Sequence, residues 1–246
     1  PGSYTASGSS SPITVTGLQS STQYTYTVTA TNNYGTSSAS SASTGVTATT
    51  VPATPSAPTA TNVTNIAYGA SPQASVAFTA PATGGSTITS YTVTSSGGQS
   101  NTGSSSPIVI TGGTAGTGYT YTVTATNANG TSSTSSASSS LTAATVPQAP
   151  TITASNPGDS NVTITITPGN TGSSSITQYS ITSSPATTTQ TTSSTSYVFT
   201  GLTNGTSYTF TATATNAIGT SASSSATTSI IPVAPVIEYI IVAGAG

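Results

Sequence analysis

YTYTVTATNANGTS, at residues 119–132, is the stretch that decides the fold, and near copies lie at residues 24–37 (YTYTVTATNNYGTS) and 208–221 (YTFTATATNAIGTS). Each copy alternates for nine residues between threonines and a second set of larger side chains. A two-residue period is typical of a β-strand with one buried face, and aromatic and β-branched residues suit a pleated surface. The Asn and Gly that follow are turn residues. The face predicted to be buried in the central copy comprises Tyr119, Tyr121, Val123, Ala125 and Asn127.

A glycine-leucine pair precedes two of the copies, as Gly17-Leu18 and Gly201-Leu202, whereas the central copy has Gly112-Gly113. This pattern resembles the E–F corner and F strand of a fibronectin type III domain. The resemblance implies a β-sandwich with a tyrosine corner, in which the ring packs inward and the hydroxyl bonds back to the backbone. It assigns the corner positions to Tyr24, Tyr119 and Tyr208. The chain has no Trp, so Phe78 and Ile166 would stand in for the family's usual core Trp.

The predicted fold class is all-β: tandem fibronectin type III (immunoglobulin-like) β-sandwiches joined by short Pro-rich linkers. Aligning Tyr24 with Tyr119 also superimposes the Val-Pro pairs at residues 51–52 and 146–147. On this alignment residues 1–51 are the C-terminal half of a domain, and residues 55–146 and 148–231 are complete domains. Residues 236–246 would begin a further strand or a glycine-rich module. Linkers are predicted at residues 51–58, 146–150 and 231–235, where prolines favour extended backbone.

Strands are predicted in the central domain at residues 59–63, 74–79, 88–95, 107–111, 119–127 and 133–143. In the first domain they are predicted at residues 11–16, 24–32 and 38–47. Large side chains on the inward faces of these strands and of their counterparts in the third domain form the predicted core. These core residues are Tyr24, Tyr26, Phe78, Tyr91, Tyr119, Tyr121, Ile166, Tyr179, Tyr208 and Phe210.

The composition excludes most active-site chemistry. The 246 residues include no Lys, Arg, His or Cys, and two acidic residues, Asp159 and Glu238. Nucleic-acid binding depends on Lys and Arg, and transition-metal sites depend on His, Cys or clustered carboxylates. The serines have no His or Lys to activate them, and general acid–base groups are nearly absent. We therefore predict no enzyme activity, no cofactor, no metal and no nucleic-acid partner. No stretch approaches the about 20 apolar residues of a membrane span, so no membrane insertion is expected.

The three strands of residues 1–51 would present one bare apolar face, which is unfavourable in water. Two explanations stay open. Either the sequence is part of a longer chain that supplies the covering strands, or a neighbouring chain donates them. The most apolar run of the sequence is a candidate donor strand, made by Val236, Ile237, Tyr239, Ile240, Ile241 and Val242.

Repeats followed by a glycine-rich tail resemble the arrangement in tail-fibre and surface proteins of marine phages and bacteria. The resemblance implies a structural module, a semi-rigid rod or spacer in a longer extracellular or virion-surface fibre. Its partners would be copies of itself, other fibre or virion proteins, and surface glycans, which exposed Tyr4, Tyr34 and Tyr68 could stack against. Two alternatives stay open: an adhesin that binds glycans or a host receptor, and a spacer region of a secreted polysaccharide-degrading enzyme.

Overall fold

The computed structural model of the chain describes residues 3–235, which contain β-strands and no helix. The predicted all-β sandwich class is thereby confirmed. The strands are β1 (Gln23–Tyr24), β2 (Thr31–Asn32), β3 (Gly35–Thr36), β4 (Val46–Thr47), β5 (Thr59–Asn62), β6 (Ala74–Ala77), β7 (Ile88–Ser95), β8 (Ser100–Gly103), β9 (Ile108–Ile110), β10 (Gly118–Tyr119), β11 (Tyr121–Asn127), β12 (Gly130–Thr131), β13 (Leu141–Thr142), β14 (Thr151–Gly158), β15 (Asn161–Thr167), β16 (Gln178–Ser184), β17 (Gln190–Thr192), β18 (Ser196–Thr200), β19 (Thr209–Asn216) and β20 (Gly219–Thr220).

The chain packs as two compact units. The first comprises the residues up to Thr61 together with Ser75–Ile110 and Tyr119–Ser140. The second comprises Asn62–Ala74, Thr111–Gly118 and, among the described residues, 141–235. We call residues 3–51, 55–146 and 148–231 repeats 1, 2 and 3, after the sequence alignment; these domain boundaries stay predictions.

Repeat 3 is a sandwich of two antiparallel sheets, ordered β14-β15-β18 and β17-β16-β19-β20. The alternation of β19 places Phe210, Ala212 and Ala214 on the inner face, as the sequence period predicts. The register sets Tyr179 opposite Ala214 and Ile181 opposite Ala212, so that a large side chain lies beside a small one. The buried cluster that results is Val162, Ile164, Ile166, Tyr179, Ile181, Phe199, Leu202, Tyr208, Phe210, Ala212 and Ala214.

Repeat 2 repeats this arrangement with sheets β12-β11-β7-β8 and β5-β6-β9. Strand β11 pairs antiparallel with β7, with Val123 opposite Val93. Tyr91 and Tyr121 are buried, as are Val76 and Ile110 of the facing sheet. Phe78 differs from its prediction as a core residue because it is only half-buried. Strand β6 ends at Ala77, so the Phe78 ring lies past the strand end, 4.8 Å from the Tyr91 ring centroid.

The last segment of each repeat has a three-residue period that the predicted strand at residues 133–143 does not describe. Residues 132–140 lie outside regular strand, and every third one is buried: Ser132, Ser135 and Ser138. A period of three is typical of polyproline II backbone, which makes no internal hydrogen bonds. Each buried serine supplies a hydroxyl to β11 instead, to the backbone N–H of Ala125, Val123 and Tyr121 in turn. Repeat 3 does the same with Ser221, Ser224 and Thr227.

Repeat 1 has short strand pairs, β1 with β4 and β2 with β3. No strand forms at residues 11–16, and the strand predicted at residues 24–32 is present as β1 and β2 alone. Tyr24 is buried, whereas Tyr26 is half-buried and Val28 is 64% exposed. The prediction of Tyr26 as core fails because no facing sheet within the described residues covers it. The candidate donor strand at residues 236–242 lies outside the described residues.

Candidate functional site

Two asparagines end the long inner strands of repeats 2 and 3, Asn127 on β11 and Asn216 on β19, and each is 4% exposed. They continue the inward alternation of their strands past the apolar core. A buried amide side chain must find hydrogen-bond partners, because leaving one unpaired costs about 1–3 kcal/mol. Both asparagines find one of these partners in the residue directly before the linker that precedes their own repeat, Thr50 or Thr145, which we count with that linker from here on. We call this arrangement the linker clasp.

The clasp of the first unit joins the linker of repeat 1 to a loop of repeat 2. Asn127 Nδ2 donates to Thr50 O at 2.8 Å, Thr83 O at 2.8 Å and Ser86 O at 3.4 Å. The linker backbone adds a direct bond, from Thr50 N–H to Gly84 O at 2.8 Å. One side chain thus ties the linker to the loop at residues 83–86.

The second unit contains the same clasp one repeat later. Asn216 Nδ2 donates to Thr145 O at 2.9 Å, Thr171 O at 2.9 Å and Ser174 O at 3.4 Å. Thr145 N–H donates to Gly172 O at 2.9 Å. The recurrence of every bond shows that the geometry belongs to the repeat.

The backbone of each linker packs closely against a glycine, and any other residue at that position would introduce backbone strain. Gly84 and Gly172 have φ of +68° and +69°, in the left-handed region that favours glycine. A Cβ built on Gly84 would lie 2.5 Å from both Thr50 O and Val51 O, and one on Gly172 would lie 2.5 Å from Val146 O. The glycines therefore permit both the turn and the close approach of the linker backbone.

The two clasps differ in the side chain that lies two residues after the asparagine. In the first unit this is Asn129, whose Oδ1 accepts from Thr49 Oγ1 at 3.1 Å and whose Nδ2 donates to Thr50 O at 3.2 Å. In the second unit it is Ile218, which is buried in a cluster with Ala144 and Val146. One junction is therefore polar and the other is apolar at this position.

Repeat 1 carries a third copy of the clasp loop at residues 32–35. Asn32 Oδ1 accepts from Tyr34 N–H at 2.9 Å, which matches the 2.8 Å bonds from Asn129 N–H to Asn127 and from Ile218 N–H to Asn216. Tyr34, at the position of Asn129 and Ile218, is 99% exposed. Gly35 has no heavy atom within 4 Å of where its Cβ would be.

The tyrosines proposed for the corner positions are buried in all three repeats. Tyr24 accepts a hydrogen bond at its hydroxyl from Gln19 N–H at 3.0 Å, and Tyr208 accepts one from Thr203 N–H at 3.2 Å. In both cases the donor lies five residues upstream. Of the other predicted core residues, Ile166, Tyr179 and Phe210 share one cluster with Tyr208.

The exposed aromatics lie apart from these buried residues. Tyr68 is 44% exposed and lines an open groove of about 330 Å³ with Asn65, Val146 and Pro147. Tyr4 packs edge-on against Tyr24, with 5.6 Å between ring centroids. Tyr4 thus belongs partly to the packing of repeat 1.

Sequence reasoning identified the asparagines as strand ends and missed their bonds to the linker. The signal was present, since each Asn lies on the inward face of its strand and is followed three residues later by Gly in all three copies. A polar residue on a buried face needs a partner. The partner comes from a segment about 75 residues away in sequence, which no local pattern indicates.

The described residues hold little chemistry of other kinds. Residues 3–235 contain no group of three His, Cys, Asp or Glu side chains that could hold a metal ion. In the same range, no buried side-chain nitrogen or oxygen lacks a hydrogen-bond partner. No helix in the described part of the chain is long and apolar enough to cross a membrane. Burial raises the pKa of the Tyr179 phenol. Burial is also the larger cause of the raised pKa of Tyr121, and the electrostatic interaction with Tyr119 is the smaller one.

Residues 146–230, which form repeat 3 with the end of its linker, match the fibronectin type III domain family. The Asn216 clasp lies at the start of the matched region, with Asn216 and Thr171 inside it and Thr145 directly before it.

Several solved structures are similar to parts of this chain. Domains A168-A170 from titin share 19% identity over 85% of this chain and 74% of that one, with a TM-score of 0.48. The FN1-FN3 domains of chicken CNTN1 share 16% identity over 74% of this chain and 67% of that one, with a TM-score of 0.33. The structure of titin kinase and its flanking domains shares 28% identity over 35% of this chain, with a TM-score of 0.33. This chain spans 17% of the length of that structure. No curated protein sequence matches the chain.

Proposed function

We propose that the chain is a non-enzymatic structural module, a semi-rigid spacer in a longer extracellular or virion-surface fibre. Tandem fibronectin type III and immunoglobulin-like domains fit a structural or spacer role and are typically non-catalytic. The observation that carries the proposal is the linker clasp. A spacer transmits position only when its linkers are held, and both linkers are bonded into the loops of the repeat that follows.

The energetics favour a held linker. In each clasp one side-chain bond and one backbone bond reach the linker, at Thr50 or Thr145, and about 1 kcal/mol is the typical net value of each. The prolines at residues 52, 55 and 58 further restrict the first linker. Such a linker is costlier to bend than the flexible Gly/Ser type, which makes no fixed contacts.

The surface chemistry agrees with a fibre component. With two acidic residues and no basic ones, the chain has a formal charge of −2, so self-repulsion and salt dependence are small. Nearly neutral surfaces associate readily. We propose copies of the same chain and other fibre proteins as its partners.

The test removes the clasps and leaves the cores intact. We expect the Asn127→Ala/Asn216→Ala double variant to broaden the distribution of dimensions measured by small-angle X-ray scattering, because both linkers lose their anchor. Hydrogen exchange of the Thr50 and Thr145 amides should accelerate in the same variant.

The matched control is Asn101→Ala. Asn101 is exposed, and its side chain bonds Thr102 N–H and Val109 O within repeat 2. The control should scatter like the parent chain. If the double variant also scatters and exchanges like the parent, the clasps do not hold the linkers and the proposal fails.

A second candidate function is an adhesin for neutral glycans, favoured by the groove beside Tyr68. Asn65, Tyr68 and Thr220 are among its lining residues, so an aromatic ring shares the groove with amide and hydroxyl groups. Soluble neutral oligosaccharides titrated into labelled protein should shift the Tyr68 amide, and Tyr68→Ala should abolish the effect. Equal shifts in parent and variant would exclude this site.

A further inference from the structure

The loop at residues 32–35 lines an open groove of about 400 Å³ on repeat 1. Asn32, Tyr34, Gly35 and Thr36 are among its lining residues, and none carries a charge. Within residues 3–235, Asn32 Nδ2 has no hydrogen-bond acceptor. Asn32 Oδ1 is bonded to Tyr34 N–H, so the amide already has the orientation that Asn127 and Asn216 use to hold their linkers.

The corresponding surfaces of repeats 2 and 3 are occupied, and by the same kind of segment. A Cβ on Gly130 would lie 3.2 Å from Val51 Cγ1, and one on Gly219 would lie 3.2 Å from Val146 Cγ1. The carbonyl before each valine accepts from the clasp asparagine, Thr50 O from Asn127 and Thr145 O from Asn216. Both occupants read Thr-Val-Pro.

We infer that the groove over residues 32–35 is an interaction surface for the end of a preceding repeat that terminates in a Thr-Val-Pro segment. The inference rests on the proposed spacer function and names its partner at this face. The threonine carbonyl would accept from Asn32 Nδ2, and the valine would pack on Gly35. The Tyr34 ring would then pack on the valine, as apolar Ile218 packs with Val146 in repeat 3, whereas polar Asn129 at this position of repeat 2 stays exposed.

The chemistry suits a tethered partner. The groove is neutral, so charge does not steer a free ligand to it, and the contact is small. A repeat joined by a short linker is present at an effective concentration in the millimolar range, which makes a weak contact sufficient.

The experiment extends the whole chain with a second copy of residues 3–95 placed before Pro1. This extension sets a Thr-Val-Pro segment as many residues before Asn32 as Thr50 lies before Asn127. The chain contains no Trp, so a Tyr34→Trp substitution reports on this one position. In the extended chain we expect its fluorescence emission to move to shorter wavelength and its quenching by acrylamide to fall, relative to the same substitution in the unextended chain.

Two further variants separate docking from the mere completion of repeat 1. Asn32→Ala, and Val51→Ser in the added copy alone, should each restore the quenching towards that of the unextended chain. If both variants keep the full protection, or if the extension gives none, the inference is overturned.

A second measurement covers the case in which the added residues fail to fold. A synthetic peptide with the sequence of residues 46–54, VTATTVPAT, is titrated into the unextended Tyr34→Trp protein up to several millimolar, the effective concentration of a tethered repeat. A saturable emission shift that a Val51→Ser peptide does not produce supports the inference, and no shift overturns it. The scattering test of Asn127 and Asn216 is unaffected by either result, so failure of this inference is distinguishable from failure of the spacer function.

Discussion

Val123 and Ser135 exchange two hydrogen bonds across the face of repeat 2. The Val123 N–H donates to Ser135 Oγ at 3.0 Å, and the Ser135 N–H donates to Val123 O at 3.0 Å. The serine hydroxyl in turn donates to Ser136 O at 2.8 Å. A side chain thereby completes a ladder that backbone alone would complete between two β-strands. The relationship recurs at Ala212 and Ser224 in repeat 3, at 2.8 and 3.0 Å.

Replacing Ser135 with Ala should destabilise repeat 2. The change removes the acceptor of a buried backbone N–H and leaves it unpaired, which costs about 1–3 kcal/mol. Ser136→Ala is the matched control, because Ser136 is exposed and contributes its backbone carbonyl. Urea unfolding should show a lower midpoint for Ser135→Ala and a midpoint within error of the parent for the control. Equal midpoints would show that the hydroxyl is dispensable.

Gly172→Ala should release the second linker, whereas Gly205→Ala should not. Both glycines have positive φ, +69° and +78°, so both substitutions carry backbone strain of about 1–2 kcal/mol. A Cβ at position 172 would also collide with the linker carbonyls of Thr145 and Val146, while one at position 205 meets no atom within 4 Å. Hydrogen exchange of the Thr145 amide should therefore accelerate in Gly172→Ala alone. Similar acceleration in both variants would mean that strain, and not displacement of the linker, is responsible.

Truncation of Tyr208 should separate ring packing from the hydroxyl bond. Tyr208→Ala removes a buried aromatic ring and should cost about 3–5 kcal/mol. Tyr208→Phe keeps the ring and leaves the Thr203 N–H without its acceptor, so about 1 kcal/mol is expected. Calorimetric melting of the two variants, with Tyr34→Ala as an exposed control, measures both effects. A melting temperature of Tyr208→Ala equal to that of the parent would contradict the packing role.

Alkaline pH should destabilise repeat 3 through Tyr179. Burial raises the pKa of this phenol above its ordinary value of 10.0. The unfolded chain therefore loses its proton first as the pH rises, and stability that is fully present below about pH 10 is lost above it. Tyr179→Phe, which has no phenol to ionise, should retain its urea midpoint to a higher pH than the parent. If the urea midpoints of both proteins fall equally as the pH rises, ionisation of Tyr179 is not the cause.

The residues of β19 show what the sequence alone determined. Alternation of Thr with Phe210, Ala212 and Ala214 predicted a strand with one buried face, and this prediction holds because side-chain direction in a strand depends on nothing beyond the local backbone. The all-β class followed from the same period in three copies, and the sandwich followed from the resemblance to fibronectin type III domains.

Tertiary structure decided what lies opposite each residue. Tyr26 and Tyr121 occupy the same position in near-identical copies, yet Tyr26 is half-buried and Tyr121 is 4% exposed. Among the described residues, repeat 2 has a facing sheet and repeat 1 does not. Residues 132–140 do not form a regular strand, because every third residue is a serine whose hydroxyl accepts a hydrogen bond from a backbone N–H of β11. Asn127 and Asn216 became linker anchors because distant carbonyls came within 3 Å of their amides. Burial and long-range hydrogen bonds depend on the residues that folding brings together, and a local sequence pattern does not identify those residues.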